Sequence, residues 1–321
     1  MSPIELIKAS LADELSRLND LIHQQLSADN PLMTTIVDRY LESKGKQIRP
    51  LVVLLCAGMF GPISDKALNA AAAVELLHNA SLIHDDVVDE SKLRRGHATI
   101  NALWDNHIAV LVGDFFVSTA LQRAIATADM RIVEAIGRLG KLLSLGEIDQ
   151  IYNARQHDLS EDAYFHIISL KTASLFVACA RVGCYAAGAP EADTEVLARV
   201  AELLGLCFQI RDDVFDYFPA EKVGKPTGND LREGKITLPL LHALRQCPSP
   251  DMQAMVLNSE LDPQQVVALQ QFARDNGGIE YAYAVMERLR SEAADLLRQF
   301  PHADATPRLM ALFDYIIARD F

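Results

Sequence analysis

Cysteine is scarce and unpatterned in this sequence. Cys56, Cys179, Cys184, Cys207 and Cys247 are odd in number and never fall at a CxxC spacing. That argues against a disulfide scaffold or a thiolate zinc cluster, and it fits a reducing cytoplasm. Positive charge is also short, with 30 Lys and Arg against 43 Asp and Glu and a net charge of -13. A nucleic-acid binder needs a basic footprint; a phosphate ligand needs only a local basic pocket. No run approaches the roughly 18 uncharged apolar residues of a membrane span. The N-terminal MSPIELIKASLADELSRL carries charges throughout, unlike a secretory leader. Alternating strand-like runs bounded by turn pairs are rare. GKPTGNDLREGK lacks the P-loop spacing GxxxxGK[ST].

What is present is helical pattern. The chain has 321 residues, half of them hydrophobic, enough to bury a large core. Ile4, Ile7, Leu11, Leu15, Leu18 and Ile22 recur at steps of three and four, the signature of an amphipathic helix. Alanine and leucine dominate ALNAAAAVELLHNASLI, LARVAELLGLCFQI and YAYAVMERLRSEAADLLRQF, which read as helices buried on most faces. The breaks GKQIRP, FGPISD, GAPEADT, FPAEKVGKPTGND and QCPSPD carry turn residues, but none has the length or bias of a linker. The expectation is an all-α fold, one helical-bundle domain over residues 1–321.

Two acidic clusters interrupt the helices. DDVVD at Asp85 to Asp89 recurs as DDVFD at Asp212 to Asp216. On a helix Asp85 and Asp89 fall about 40° apart, one turn from each other, as do Asp212 and Asp216. Like charges at that spacing repel, and each cluster closes an apolar run rather than lying on a polar face. A hard divalent cation such as Mg2+ would neutralise them, taking carboxylate oxygens and bridging to phosphate. Basic residues in Gly- and Pro-containing segments are candidate phosphate contacts: Lys46 and Arg49, Arg94 and Arg95, Lys171 beside Thr172, Lys225 and Lys235. Carboxylates for metal, cations for phosphate and apolar helices behind them suggest a phosphorylated substrate with a greasy tail.

These segments resemble the trans-prenyl diphosphate synthases, most closely the long-chain bacterial, octaprenyl-type group. The resemblance runs from about Gly45 to the 240s and rests on GKQIRP, DDVVDESKLRRG, Gly113-Asp114, Lys171-Thr172, FQIRDDVFD and GKPTGNDLREGKITLPLL. It implies a helical bundle around a deep central cavity and a homodimer. It implies condensation of isopentenyl diphosphate onto an allylic diphosphate, farnesyl or geranyl, with three Mg2+ in the loaded site. Carried over, Asp85, Asp89 and Asp212 ligate metal, with Asp86, Asp213 and Asp216 as further ligands or support. Arg94, Lys171, Lys225 and Lys235 contact the allylic diphosphate. Lys46, Arg49, His78 and Arg95 hold isopentenyl diphosphate, and Lys171, Thr172 and Gln209 line the reacting centre.

The sequence also departs from the family. Its usual GGKRxRP reads KGKQIRP here, with Lys44 and Gln47 at the changed positions, and the chain ends IARDF rather than in a basic tail. One turn at a time from Asp85 toward the helix N-terminus lie Ser81, Leu77 and Val74, with Ala80 beside them. Short-chain members carry an aromatic there. The small Ala80 and Ser81 therefore imply a long product near octaprenyl, suited to a quinone side chain, with Phe115, Phe116 and Phe176 as candidate floor residues. A cytoplasmic enzyme that touches the membrane for product release follows from the same resemblance. The competing readings are a short-chain synthase, a class I terpene cyclase, whose second metal motif is usually of Asn-Ser-Glu type, and a non-catalytic synthase subunit.

Overall fold

Helical periodicity in the sequence becomes helix nearly throughout. The computed structural model describes residues 2–42, 45–94, 96–156, 158–219, 227–258, 261–301 and 303–318. The chain forms two compact units. One comprises Met1–Lys141, Leu175–Ala198 and His302–Leu309; the other comprises Leu142–Ser174, Arg199–Pro301 and Met310–Phe321. The sequence breaks fall at or beside helix ends, apart from residues 220–226, which lie outside the described residues.

The first unit holds α1 (Pro3–Ser10), α2 (Ala12–Leu26), α3 (Pro31–Glu42), α4 (Ile48–Gly58), α5 (Asp65–Val88), α6 (Ile100–Leu103) and α7 (Asn106–Ala126). Helix α5 is its axis. Ser64 caps it by accepting a hydrogen bond from the Ala67 N–H, satisfying one of the unpaired first-turn donors. Ala70, Ala71, Ala72, Ala73, Val74, Leu76 and Ala80 have no exposed surface. A helix apolar on all sides must be surrounded, and α5 packs against α2, α4 and α7. The alanines keep side-chain bulk low along the seam, so neighbouring backbones come close. Between α5 and α6 the only strands among the described residues, β1 (Leu93–Arg94) and β2 (His97–Ala98), pair as an antiparallel hairpin. They are too short to show a period in the sequence.

The second unit begins within α8 (Met130–Gln156) and includes α9 (Glu161–Ile168) and a π-helical turn, Ser169–Ala173, that leads into α10 (Ser174–Ala187). It takes the C-terminal part of α11 (Glu191–Phe215). It then carries α12 (Asn229–Arg232), α13 (Leu238–Gln246), α14 (Pro250–Val256), α15 (Pro263–Asp275) and α16 (Gly278–Leu297), and ends within α17 (Ala305–Ala318). Helix α13 packs against α15 and α16. Asp262 and Gln265 form a capping box at the start of α15. Just past the second aspartate cluster, Tyr217 is buried, and its hydroxyl pairs with Thr237 Oγ1 at 2.9 Å. This anchors the chain where it leaves α11.

Among the described residues, two helices are long and apolar enough to cross a membrane, Asn106–Ala126 and the continuous Glu161–Ala187. The second is mostly buried, as a core helix should be. The first presents Val110, Leu111, Val117, Leu121 and Ile125 to solvent, an apolar stripe along one side of α7. Both contain charged side chains, so neither is a charge-free run in the sequence.

Candidate active site

In the first unit, the face of α5 that carries the acidic cluster closes off with depth. Asp89 is exposed, Asp85 and Ser81 are half-buried, Leu77 is 7% exposed and Val74 is fully buried. Ala80 lies on a neighbouring face with no exposed surface. Ser81 turns its hydroxyl onto the His78 carbonyl at 2.9 Å, leaving no bulk toward Asp85. Of the floor candidates, Phe116 is core, packed edge-on against Tyr40 with centroids 5.4 Å apart. Phe176 is core too, with the Arg49 guanidinium lying over its ring at 5.6 Å, a contact that orients the cation. Phe115 is half-buried.

Asp86 faces inward, 6% exposed, and its Oδ1 accepts from both Nε and Nη2 of Arg94 at 2.8 Å. The fork of the arginine is thereby fixed. The segment after α5 is tied back onto the helix end. Asn101 Nδ2 donates to the carbonyls of Asp86 and Ser91 at 3.1 Å each, the Ser91 N–H donates to Asp86 O, and Thr99 Oγ1 donates to Ser91 O. These bonds satisfy carbonyls that the last helical turn leaves open and hold the hairpin that delivers Arg94. Glu90 makes the turn with φ of +50°. His84 lies over Gly113 of α7, where any Cβ would collide with the imidazole, and its Nε2 stands 3.3 Å from Val110 O. That contact explains the glycine of the Gly113-Asp114 pair.

Lys46 is exposed and His78 is buried. Gln47, which replaces the family's arginine, adopts a left-handed conformation before α4, and its side-chain amide donates to Asn19 Oδ1 at 2.8 Å. A groove of about 650 Å3 in this unit is lined by Tyr40, Gln47, Glu75, Asn79, Asp86 and Arg94 among others. Arg95 and Lys225 lie outside the described residues.

In the second unit the π turn aims Lys171 and Thr172. A widened turn of this kind is common at functional sites. Gly146 of α8 sits under it, and a Cβ there would stand 2.7 Å from the Lys171 backbone nitrogen. The Lys171 ammonium pairs with Glu147 and donates to Gln150 Oε1 at 3.3 Å. Thr172 Oγ1 donates to Gln209 Oε1 at 2.7 Å, Gln209 Nε2 donates to Asp213 Oδ1 at 2.7 Å, and the Tyr164 hydroxyl donates to Asp213 Oδ2 at 2.6 Å. Accepting on both oxygens favours the charged form of the carboxyl, and burial disfavours it. Burial and nearby Asp230 push the Asp213 carboxyl well up, and the two donors oppose them. These side chains, with Lys235 and Asp230, line a cavity of about 150 Å3.

Asp216 has a different surrounding. Its carboxylate accepts from the backbone N–H groups of Gly228, Asn229 and Asp230 at 2.8, 3.3 and 3.2 Å, binding the end of α11 to the start of α12. Burial first and Asp216 next push the Asp230 carboxyl up to about 7, with Lys235 opposing. Lys235 pairs with Glu233.

Among the described residues no three His, Cys, Asp or Glu side chains stand together as a finished cation cage. The donors still suit Mg2+, which binds through one or two carboxylates and completes its shell with water and substrate phosphate. Asp85 and Asp89 share one helix face, and Asp212 is half-buried beside the inward Asp213. Sequence reasoning missed Glu147, Gln150, Tyr164 and Asn101. The one available signal was spacing. Glu147 and Gln150 lie one turn apart, and Tyr164 precedes Lys171 by two turns of α-helix.

The polyprenyl synthetase family profile matches residues 30–274. The chain is 33% identical to octaprenyl diphosphate synthase from Haemophilus influenzae, over 97% of this chain and 96% of that protein. Other relatives are named heptaprenyl diphosphate synthase component 2, nonaprenyl and short-chain isoprenyl diphosphate synthases. The fold matches a decaprenyl diphosphate synthase from Rhodobacter capsulatus with a TM-score of 0.93 and 31% identity, over 99% of both chains. It also matches a polyprenyl synthase from Caulobacter crescentus complexed with calcium and isoprenyl diphosphate, at a TM-score of 0.93 and 30% identity over 99% and 98% of the two chains. The all-α isoprenoid synthase fold and the profile agree, and the chain is a member of the polyprenyl synthetase family, a prenyltransferase.

Proposed function

We propose that this chain makes a long all-trans polyprenyl diphosphate, near octaprenyl in length, by adding isopentenyl diphosphate to farnesyl or geranyl diphosphate. The observation that carries the reading is the α5 face. It runs from the exposed Asp89 and half-buried Asp85 past a serine and then leucine and valine into the core, with no aromatic one turn behind Asp85. Such a surface suits a diphosphate at the rim and a growing hydrocarbon below it. We assign Asp85, Asp89 and Asp212 as Mg2+ ligands, three ions in the loaded site. Asp86, Asp213 and Asp216 support them through Arg94, through Tyr164 and Gln209, and through the backbone of α12.

Bound Mg2+ supplies charge neutralisation for the departing diphosphate. Arg94, Lys171, Lys225 and Lys235 add hydrogen-bond donors to the same oxygens, most useful as negative charge builds there. Lys46, Arg49, His78 and Arg95 hold isopentenyl diphosphate with its double bond toward the allylic carbon. The oxygens of Thr172 and Gln209 face the allylic cation, and the departed diphosphate takes the proton lost from the carbon beside the new cation as the new double bond forms. Apolar residues such as Leu77 and Val74 keep out the water that would quench the cation to an alcohol. The exposed stripe on α7 is more apolar surface than a helix leaves in solvent without use. It supports a homodimer, and the reading keeps that dimer in the cytoplasm, meeting the membrane only to release product. Leu111→Glu with Leu121→Glu should shift the sedimenting species to monomer.

Purified protein incubated with Mg2+, isopentenyl diphosphate and farnesyl diphosphate should give a ladder of dephosphorylated products ending at one long polyprenol. Products ending at farnesyl or geranylgeranyl length mean a short-chain synthase. Folded protein without elongation on any primer refutes solo activity and points to a partner subunit. Cyclic hydrocarbon from the allylic substrate alone points to a cyclase.

A further inference from the structure

Four side chains in the second unit are joined by consecutive hydrogen bonds. Tyr164, 5% exposed, donates to Asp213 Oδ2; Gln209 donates its amide to Asp213 Oδ1; Thr172 donates its hydroxyl to Gln209 Oε1. Every bond is 2.6–2.7 Å long. The chain therefore has a direction, with each hydrogen pointing toward Asp213. The amide of Gln209 has no freedom to flip, because its NH2 must meet the carboxylate and its oxygen must then meet Thr172. The hydroxyl hydrogen of Thr172 is committed, so only lone pairs of its oxygen remain for anything else in the cavity.

We propose that Tyr164 is a positioning residue for the condensation, acting through Asp213 and Gln209 to make Thr172 present lone pairs, and no hydrogen, to the allylic cation. This rests on the reading of Thr172 and Gln209 given above. Tyr164 holds one carboxylate oxygen so that the other stays aimed at Gln209. Without the Tyr164 hydroxyl, Asp213 Oδ2 loses its donor in a buried setting, and the carboxyl can rotate to share the Gln209 amide. Gln209 then no longer fixes the Thr172 rotor. A hydroxyl free to turn can donate to the diphosphate and offers a positive hydrogen where a negative end is needed. The π turn contributes by lifting Thr172 out of the regular helical register, so that its hydroxyl reaches Gln209 rather than a carbonyl one turn back.

The test is a double-substitution cycle read in kcat and in KM for both diphosphates, using Y164F, T172V and the pair, with T172S as a conservative background. Y164F should lower kcat about threefold to tenfold, the range expected when one link of a coupled hydrogen-bond chain is cut, while each KM stays within about twofold. In T172V protein, adding Y164F should change kcat by less than about twofold, since no hydroxyl remains to orient. In T172S protein its effect should return. Equal losses with and without the hydroxyl, or a loss confined to KM, overturn the proposal. If Y164F melts below the assay temperature, 3-fluorotyrosine at position 164 keeps the bond with a stronger donor. A kcat change seen with Thr172 but not with T172V then supports the relay, and equal changes overturn it. Wild-type protein that elongates no primer rejects the proposed synthase activity of this chain alone, whereas an active wild type with additive effects rejects only the relay.

Discussion

Replacing Gly146 with alanine separates stability from catalysis in this fold. The added Cβ would stand 2.7 Å from the Lys171 nitrogen, 3.0 Å from Lys171 Cα and 3.1 Å from the Leu170 carbonyl carbon. Ordinary contact begins at 3.4 Å, so α8 and the π turn must part by about 0.7 Å. The atoms in the way are backbone, which no side-chain rotation can move aside. Overpacking of this kind costs about 1–3 kcal/mol. Alanine returns about 1 kcal/mol through its helix propensity. The net loss of about 0–2 kcal/mol should lower Tm by no more than several degrees. Catalysis should suffer more, because the turn carries Lys171 and Thr172, the residues proposed to line the reacting centre. A displacement approaching 1 Å at a reacting group costs on the order of 100-fold. Gly146→Ala should therefore lower kcat about tenfold to 100-fold. Scanning fluorimetry and a steady-state assay with isopentenyl and farnesyl diphosphates measure the two quantities. A variant with wild-type Tm and kcat within about twofold would refute the idea that this close approach sets the position of Thr172.

Three further outcomes follow from contacts in the structure. Ser81→Phe places a ring one turn behind Asp85 and should shorten the product, as chromatography of the polyprenols would show; unchanged length rejects Ser81 as a determinant. Arg94→Lys keeps the charge but loses the fork on Asp86 Oδ1, so the allylic KM should rise about tenfold while Tm changes little. Asp129 is held below the usual carboxylate range by Arg131 first and by Lys66 as well. A depressed folded-state pKa gives stability that is complete above the unfolded value of about 4 and is lost as pH falls below it. Asp129→Asn should thus melt several degrees lower than wild type at pH 7, with the gap narrowing in melts taken toward pH 3.

The helices were legible because long Ala- and Leu-rich segments can satisfy only one period, and α5 and α11 are such segments. The acidic clusters were legible as pairs one turn apart. What each carboxylate touches was not. Asp85 and Asp86 are neighbours in sequence, yet the 100° between them separates a half-buried rim position from one locked to Arg94. Asp216 spends its oxygens on three backbone donors more than ten residues away, which no periodicity reports. Tyr164 showed only as a spacing two turns before Lys171, and its partner stayed hidden for a geometric reason. Its link to Thr172 passes through another helix, and the π turn between them breaks the register that a helical count assumes. Gln47 read as a departure from the family pattern; its bond to Asn19 gives the substituted side chain a defined place.

The widened turn at Ser169–Ala173 also bears on how this chain tolerates change in length. Helix α9, the π turn and α10 form one continuous rod, and the turn holds a residue more than an α-helix would need there. Deleting Leu170 would let the rod close into uninterrupted α-helix with better backbone hydrogen bonds. It would also turn Thr172 by about 100° relative to Tyr164. The shortened protein would be the more regular structure and the poorer catalyst. Deletion of a single codon in an otherwise stable helix would leave a well-folded protein with the proposed reacting centre dismantled.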